Sequence, residues 1–363
     1  MIKKKVKSIV SVCGNFVPIK SKVEAEKARD ILQNYSSKPN GSCFTNNDIN
    51  LQYDLQIIIP AYNAEKYIKE CIQSVTSQNL KYSILITIVN DGSTDETDSI
   101  LKSYPKAIGE HIRINVIEQI NKGYSGARNS AFKIINGKYI TFLDSDDVLS
   151  QNAINDMLDI AYEKDVDILQ GGWYTFSYDN RGKCIIGEKV GNNNVSGFPW
   201  GKLYKYSVLA HFQFPEGYWF EDTPISFILA AMDWHCVAVK NIVYGYQQNP
   251  NGITATAVHN KKSVDSYWIT EQCLEEFPRY GLQYNQRAYE YLLRQSIMNE
   301  GRIRKRPRQV REAVFILTAD LMEHYFKEFT TENLSMKKIE SALRKKQFIK
   351  FELLFYGRGI QCD

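Results

Sequence analysis

The sequence predicts an α/β protein with a mostly parallel sheet, helices on both sheet faces, and a C-terminal helical region. Three observations carry that prediction. Between Gln52 and Leu143, short β-branched apolar runs alternate with amphipathic stretches over about 90 residues. Each apolar run ends in a turn rich in Pro, Gly, Asn or Asp. From Lys261 onward the texture is helical, with Pro278 and Pro307 as breaks.

In chain order, Lys20–Asn34 reads as one helix, followed by the turn-rich linker SSKPNGSCFTNND. Leu55–Pro60 reads as a buried strand stopped by Pro60. Ile68, Ile72 and Val75 then fall at i, i+4 and i+7, the apolar stripe of a helix. Ile84–Val89 repeats the strand signal and ends in Asn90–Asp95; a helix, the strand Ile112–Ile117, the helix Ser125–Ile135 and the strand Lys138–Leu143 follow. From Leu169 to about Gln248, aromatic and Gly-rich segments suggest short strands and loops. The domain division that follows is an extension at 1–50, an α/β domain at 51–258 and a helical domain at 259–363.

Composition excludes several classes. With 363 residues, 44% hydrophobic and 24% charged, the chain is neither disordered, collagenous nor a small disulfide scaffold. The net charge of +4 conceals an asymmetry: residues 1–50 carry 9 basic and 4 acidic groups, 51–260 carry 17 and 23, and 261–363 carry 19 and 14. An acidic middle lies between basic ends. The 7 cysteines are scattered and never spaced as C-x-x-C, so a disulfide framework and a structural zinc site are unexpected and a reducing cytoplasm fits. The basic start MIKKKVKSIV has a short, broken apolar stretch and no small-residue cleavage site, which argues against export. No run approaches the roughly 18 apolar residues of a membrane helix.

In open α/β sheets ligands bind beyond the carboxyl ends of the strands, which directs attention to the turns after Ile59, Val89 and Phe142. Phe142-Leu143-Asp144-Ser145-Asp146-Asp147 places three carboxylates within four residues. Such crowding costs repulsion unless a cation or solvent neutralises it, and hard ions such as Mg²⁺ use one or two carboxylates plus phosphates. The alternative is a solvated helix start near Ser150. Asp91, in Asn90-Asp91-Gly92-Ser93, is suited to accept hydrogen bonds from a base or ribose, or to serve as an ordinary turn residue. The stretch Asn121-Lys122-Gly123 to Arg128-Asn129 opens a helix and has neither the G-x-G-x-x-G nor the P-loop pattern.

Four segments in order, Ile59-Pro60-Ala61-Tyr62-Asn63, Asn90-Asp91-Gly92-Ser93-Thr94-Asp95, Gly126-Ala127-Arg128-Asn129 and Phe142 to Asp147, resemble the family-two inverting glycosyltransferases over residues 52–250. The resemblance implies the GT-A type, Rossmann-like fold and a nucleotide-sugar donor, a UDP-sugar first. It implies that Pro60, Ala61, Tyr62 and Asp91 hold the uridine, and that Asn121 and Arg128 lie beside base and ribose. Asp144 falls near the ribose, and Asp146, with Asp144, at a Mn²⁺ or Mg²⁺ bridging the diphosphate. Asp147 is expected to be a cap or supporting group.

Gly217-Tyr218-Trp219-Phe220-Glu221-Asp222-Thr223 resembles the family's E-D segment. This nominates Asp222 as the base that takes the acceptor proton, with Glu221 as its orienter; the alternative is that both merely complement a helix dipole. Pro199-Trp200-Gly201-Lys202-Leu203-Tyr204 resembles a stretch often preceding that segment, placing Trp200 under an acceptor sugar or in core packing, and Lys202 at a phosphate or carboxylate of the acceptor. His259 reads as a packing or surface residue rather than a further metal ligand. The implied acceptor is a glycan, a lipid-linked or a protein-linked hydroxyl, in bacterial surface polysaccharide or glycoconjugate synthesis.

Arg302 to Arg311 holds six basic residues without an acid, a candidate for anionic lipid headgroups at the inner face of the membrane or a solvated helix face. No nucleic-acid module surrounds it. The two ends are assigned to acceptor binding, membrane approach or self-association. Two rival classes fit the sequence less well. A sugar nucleotidyltransferase would show a Gly-rich G-x-G-T-R stretch, which IIIPAYNAEKY lacks; a binding module without catalysis would not need both the D-x-D turn and the E-D pair.

Overall fold

The computed structural model describes residues 21–179, 182–189, 195–249 and 257–356. The basic start and the helix onset expected at Lys20 lie outside the described residues. The chain clusters into two compact units: residues 40–217 with 221–252, and residues 1–39 with 218–220 and 253–363.

The first unit is built on a ten-stranded sheet among the described residues. Its strands are β1 (Asp48–Ala61), β2 (Ile84–Asp91), β3 (Ala107–Ile108), β4 (Ile112–Gln119), β5 (Ile134–Phe142), β6 (Val148–Leu149), β7 (Ile168–Asp179), β8 (Gly182–Lys189), β9 (Lys202–Lys205) and β10 (Cys236–Gln247). They lie in the order β3-β4-β2-β1-β5-β9-β7-β10-β6, with β8 paired to β7. The β4-β2-β1-β5 core is parallel. Its connections carry helices α2 (Ile68–Thr76), α3 (Thr97–Lys102) and α4 (Gly123–Phe132).

The sequence reads as continuous apolar runs here because both faces are covered. Every residue of β2 is buried. In β1, Ile57 and Ile59 join one apolar cluster, with Ile68, Ile72 and Val75 of α2. Ile58 points the other way, into a cluster with Phe132, Phe142 and Phe214. Each fully buried Ile or Phe is worth about 1.5–3 kcal/mol relative to exposure. Pro60 pairs with Val89 in β2, whereas the pairing of β1 with β5 ends at Ile58 and Phe142. The missing N–H of Pro60 therefore costs no ladder bond, and the strand runs one residue past Pro60 and begins at Asp48 rather than Leu55, within the segment expected to be extension.

Two expectations shift. The helix expected over Ser125–Ile135 ends at Phe132, because Ile134 and Ile135 pair with Asp48 and Ile49 at the start of β1. The segment expected as short strands contains two of twelve residues, β7 and β10. The pairing of β7 with β8 shifts register between Thr175 and Phe176, and that of β10 with β7 shifts between Ala238 and Tyr244, which breaks the two-residue alternation a sequence reading relies on.

The second unit is helical. Helix α1 (Ala25–Tyr35) is the helix expected before the linker. After the short α5 (Ala153–Glu163), α6 (Tyr206–Leu209) and α7 (Thr223–Phe227) of the sheet unit come α8 (Asp265–Glu276), α9 (Gln286–Ile303), α10 (Arg308–Tyr325), α11 (Lys337–Arg344) and α12 (Phe348–Tyr356). Ala28 and Leu32 bury the inner face of α1, which packs on α10. Glu271 of α8 is buried and receives Arg29 at 2.6 Å, Lys38 at 2.9 Å and the Tyr267 hydroxyl at 2.8 Å. Burial alone would raise its pKa, but the two cations hold it below the ordinary range. No helix among the described residues is long and apolar enough to cross a membrane.

Candidate active site

The turns after β1 and β2 are clasped together. Asn63, at φ 50°, accepts from the Thr94 backbone N–H at 2.8 Å and donates its own N–H to Ser93 Oγ at 3.1 Å. Gly92 takes φ 72°, and a Cβ there would lie 2.9 Å from the backbone N of Asn121. Only glycine satisfies both the left-handed conformation and that approach. Asp91, buried at the end of β2, accepts from Gln119 Nε2 at 2.7 Å and from the Lys122 N–H at 2.8 Å. Both bonds fall on Oδ1, so Oδ2 keeps its acceptor capacity. Asp91 thus fixes the turn in which exposed Asn121 sits. Pro60 and Ala61 are buried strand-end residues beside this turn, and Tyr62 is 50% exposed.

Arg128 of α4 is the hub of the acidic crevice. Its guanidinium is buried and bridges Asp144 Oδ1 at 2.8 Å and Glu221 Oε1 at 2.7 Å. It lies over the rings of Phe214 and Tyr124, with Cζ 5.1 and 5.7 Å from their centroids. Burial opposes its charge, but the two carboxylates outweigh that cost and raise its pKa above the ordinary value.

The three carboxylates after β5 have three different fates. Asp144 is taken by Arg128. Asp147 is buried and accepts from the Tyr244 hydroxyl at 2.6 Å and the Gln247 N–H at 2.7 Å, so it serves as a structural support. Asp146 meets the Asn249 amide at 3.4 Å, and among the described residues no ion pair reaches it. Burial first, and the charge of Asp144 second, raise its pKa. The solvated helix start is not what forms: the next helix, α5, begins at Ala153, beyond all three carboxylates.

These groups fit a hard divalent cation. Asp146 is a half-buried carboxylate disfavoured as an anion by its surroundings, the condition a cation relieves. Among the described residues no three His, Cys, Asp or Glu side chains converge as a ready ligand set. The chain therefore offers one or two carboxylates, the number Mg²⁺ takes when phosphates and waters complete its shell.

Glu221 and Asp222 precede α7. Asp222 occupies the N-cap position but makes no side-chain capping bond, so helix capping does not account for it. Both Trp200, read as an acceptor contact or as core packing, and Lys202, read as an acceptor contact, are buried. Trp200 stacks on Phe198 and Tyr244 with centroids 4.6 and 4.5 Å away. Lys202 donates to Ser196 Oγ at 2.8 Å and to the carbonyls of Phe198 and Trp200. The reason is local: β9 is a four-residue strand between β5 and β7, and its side chains are enclosed. His259 lies in the helical unit with Nε2 3.0 Å from Lys305 Nζ.

The basic run is also largely engaged within its own unit. Arg302 covers the Phe220 ring, Arg306 donates to the Val258 carbonyl and the Tyr35 hydroxyl, and Arg311 pairs with Glu352. Arg304, Lys305 and Arg308 are exposed. Sequence reasoning missed Tyr244 and Gln119, the residues that hold Asp147 and Asp91. The signal for Gln119 was its place at the polar end of β4, level with Asp91 in β2.

A parallel sheet with polar turns at its carboxyl ends belongs to the class of open α/β folds whose ligands bind beyond the strand ends. Residues 56–186 match the family model described as Glycosyl transferase family 2. It is 32% identical over 216 residues to glycosyltransferase GlyA of Streptococcus pneumoniae. That match covers 53% of this chain and 30% of GlyA, so the chain corresponds to under a third of that relative's length. The fold is GT-A-like. It superposes on S. aureus TarS 1–349, solved in complex with UDP-GlcNAc, with a TM-score of 0.63 and 18% identity, covering 83% of this chain and 90% of that one. The mannosyltransferase PcManGT of Pyrobaculum calidifontis, solved with GDP-Man and Mn²⁺, gives 0.51 and 12% identity over 98% and 97%.

Proposed function

We propose that this chain is an inverting, metal-dependent glycosyltransferase that moves a sugar from a UDP-sugar to a hydroxyl of a glycan, lipid-linked or protein-linked acceptor of the bacterial surface. The observation that carries the reading is the network at Arg128 of α4, which ties Asp144, in the turn after β5 that also holds Asp146, to Glu221 before α7, with Asp91 at the carboxyl end of β2 on the other side of β1. The UDP-GlcNAc complex of the TarS neighbour favours UDP over other nucleotides as the first donor to test.

In this reading Pro60, Ala61, Tyr62, Asp91 and Asn121 receive the uridine, with Asp91 Oδ2 as the acceptor for a base or ribose donor. Arg128 orients Asp144 toward the ribose and holds Glu221 in place. A Mn²⁺ or Mg²⁺ held by Asp146, with Asp144, would neutralise charge on the departing diphosphate. Glu221, already committed to Arg128, leaves Asp222 to act as base. Asp222 takes the proton of the acceptor hydroxyl as its oxygen bonds to the anomeric carbon. The bond from that carbon to the phosphate oxygen breaks, UDP leaves, and the configuration inverts. General-base action of this kind contributes ~10² to 10⁴ in rate.

Titration calorimetry of UDP, GDP, ADP and CDP with and without Mn²⁺ tests the donor assignment. UDP binding that strengthens with Mn²⁺ is expected, and binding of GDP in its place would move the donor to the class of the PcManGT neighbour. No nucleotide binding would overturn the reading.

A further inference from the structure

The three residues Tyr218–Phe220 belong to the helical unit, although the chain to Gly217 and from Glu221 belongs to the sheet unit. Each is held there by a separate contact. The Tyr218 hydroxyl donates to the Pro39 carbonyl at 2.8 Å. The Trp219 backbone N–H donates to Asp265 Oδ2 at 2.9 Å. The ring of Phe220 lies under Arg302, with the guanidinium carbon 3.8 Å from its centroid. Asp265 is buried in the first turn of α8, and Arg302 lies in the last turn of α9. Neighbouring side chains tie those two helix ends together: Arg302 donates to Ser266 Oγ at 2.9 Å, and Ser266 Oγ donates to Asn299 Oδ1 at 2.5 Å.

What this clamp holds is a backbone conformation that would not persist unaided. Phe220 has φ 63°, a left-handed value rare for a bulky residue, and it is bonded directly to Glu221. The chain therefore enters the Glu221–Asp222 pair through a strained residue fixed by a buried carboxylate and an arginine.

We propose that Asp265 and Arg302 are positioning residues that hold the Trp219–Phe220 backbone, and thereby set where Glu221 and Asp222 begin. The inference rests on the reading of Asp222 as base. It also gives a use to Arg302, which the sequence placed in a membrane-directed charge run. A clamp of this kind acts on turnover more than on donor affinity, because a displacement near 1 Å at a reacting group costs on the order of 100-fold.

Two readouts on the full chain test it. In Asp265→Ala and Arg302→Ala, hydrogen exchange followed by mass spectrometry should show the amides of 221–223 and 225 exchanging about tenfold faster or more, since the Ile225 N–H to Asp222 carbonyl bond closes the turn after the clamp. Release of UDP from UDP-GlcNAc with Mn²⁺ should fall by roughly 10- to 100-fold while UDP affinity stays within about twofold. Asp265→Asn, which keeps an acceptor oxygen, and Phe220→Tyr, which keeps the ring, should restore both. Phe220→Leu removes the ring and leaves the helix ends intact, so it serves if an alanine variant does not fold. Unchanged exchange at 221–225 in folded Arg302→Ala and Phe220→Leu would overturn the clamp. Asp222→Asn separates the two ideas: it should lose turnover with wild-type exchange, and full turnover in it would sink the base assignment rather than the clamp.

Discussion

The strand-end crevice and the aromatic segment at 196–204 each bury one cation, and they treat it in opposite ways. Arg128 meets two carboxylates, and its charge is reinforced. Lys202 meets a hydroxyl and two carbonyls; burial dominates the opposing charge of Asp222 and lowers its pKa to about 7. A cation among fixed anions organises a charged site. The same charge among neutral acceptors organises a loop. The contrast teaches that a buried basic residue is functional or architectural according to what faces it.

The largest effect should come from Asp146, which no ion pair among the described residues reaches. Asp146→Ala should lower Mn²⁺-dependent UDP release from UDP-GlcNAc by about 1,000-fold or more, beside an unchanged melting temperature. An active Asp146→Ala enzyme would show that the crevice does not work through that carboxylate. Next in size is Arg128→Leu. Removing one partner from a buried ion network costs about 3–5 kcal/mol, because Asp144 and Glu221 are then left without their counter-ion. Denaturant unfolding should register that loss, and Arg128→Lys should recover only part of it, since one ammonium cannot span both carboxylates as a guanidinium fork does. Full stability in Arg128→Leu would remove the basis of the comparison.

Lys202→Met probes the other side. It strands the carbonyls of Phe198 and Trp200 and the hydroxyl of Ser196, so a loss of about 2–3 kcal/mol is expected with UDP affinity unchanged. The pH dependence has a definite sign. With its folded pKa near 7 and an unfolded value near 10.5, Lys202 is protonated more fully in the unfolded chain between those limits. Stability from this group therefore rises as pH increases from about 7 to 10.5 and is lost as pH falls through that window. Urea melts at pH 7 and pH 9.5 should show a smaller rise for Lys202→Met than for the wild type; equal rises would mean that the lysine stays charged in the fold.

Much of the crevice was legible in the sequence because strand ends announce themselves. Pro60, Asn90-Asp91-Gly92 and Asp144 to Asp147 each close an apolar run, and parallel topology brings such turns to one edge. What the sequence pattern could not show was which partner a polar side chain finds. Trp200 and Lys202 looked like acceptor contacts because residue type does not reveal that β9 is enclosed on both sides. Arg302, Arg306 and Arg311 looked like a solvated or lipid-facing run. Their partners Phe220, Tyr35 and Glu352 are brought together only by helix packing. Residue type alone does not separate Asp144, Asp146 and Asp147; the family resemblance gave them different places, and Arg128, Asn249 and Tyr244 are the partners that distinguish them in the fold.

Tyr244 gives the smallest and most discriminating effect, because it belongs to both regions. Its ring stacks on Trp200, while its hydroxyl donates to Asp147 and accepts the Asp144 backbone N–H at 3.2 Å. Tyr244→Phe keeps the stack and deletes both hydrogen bonds, so the aromatic segment should remain intact while the carboxylate turn loosens. A stability loss of about 1–2 kcal/mol is expected, since Asp147 loses one of two donors yet keeps the Gln247 N–H. Turnover should fall modestly, by about tenfold or less, through freer motion of Asp144 and Asp146. Adding Lys202→Met should give additive stability losses if the two regions are independent, as the opposite treatment of their cations implies. A coupling above about 1 kcal/mol in that double-mutant cycle would show that Trp200 transmits between them.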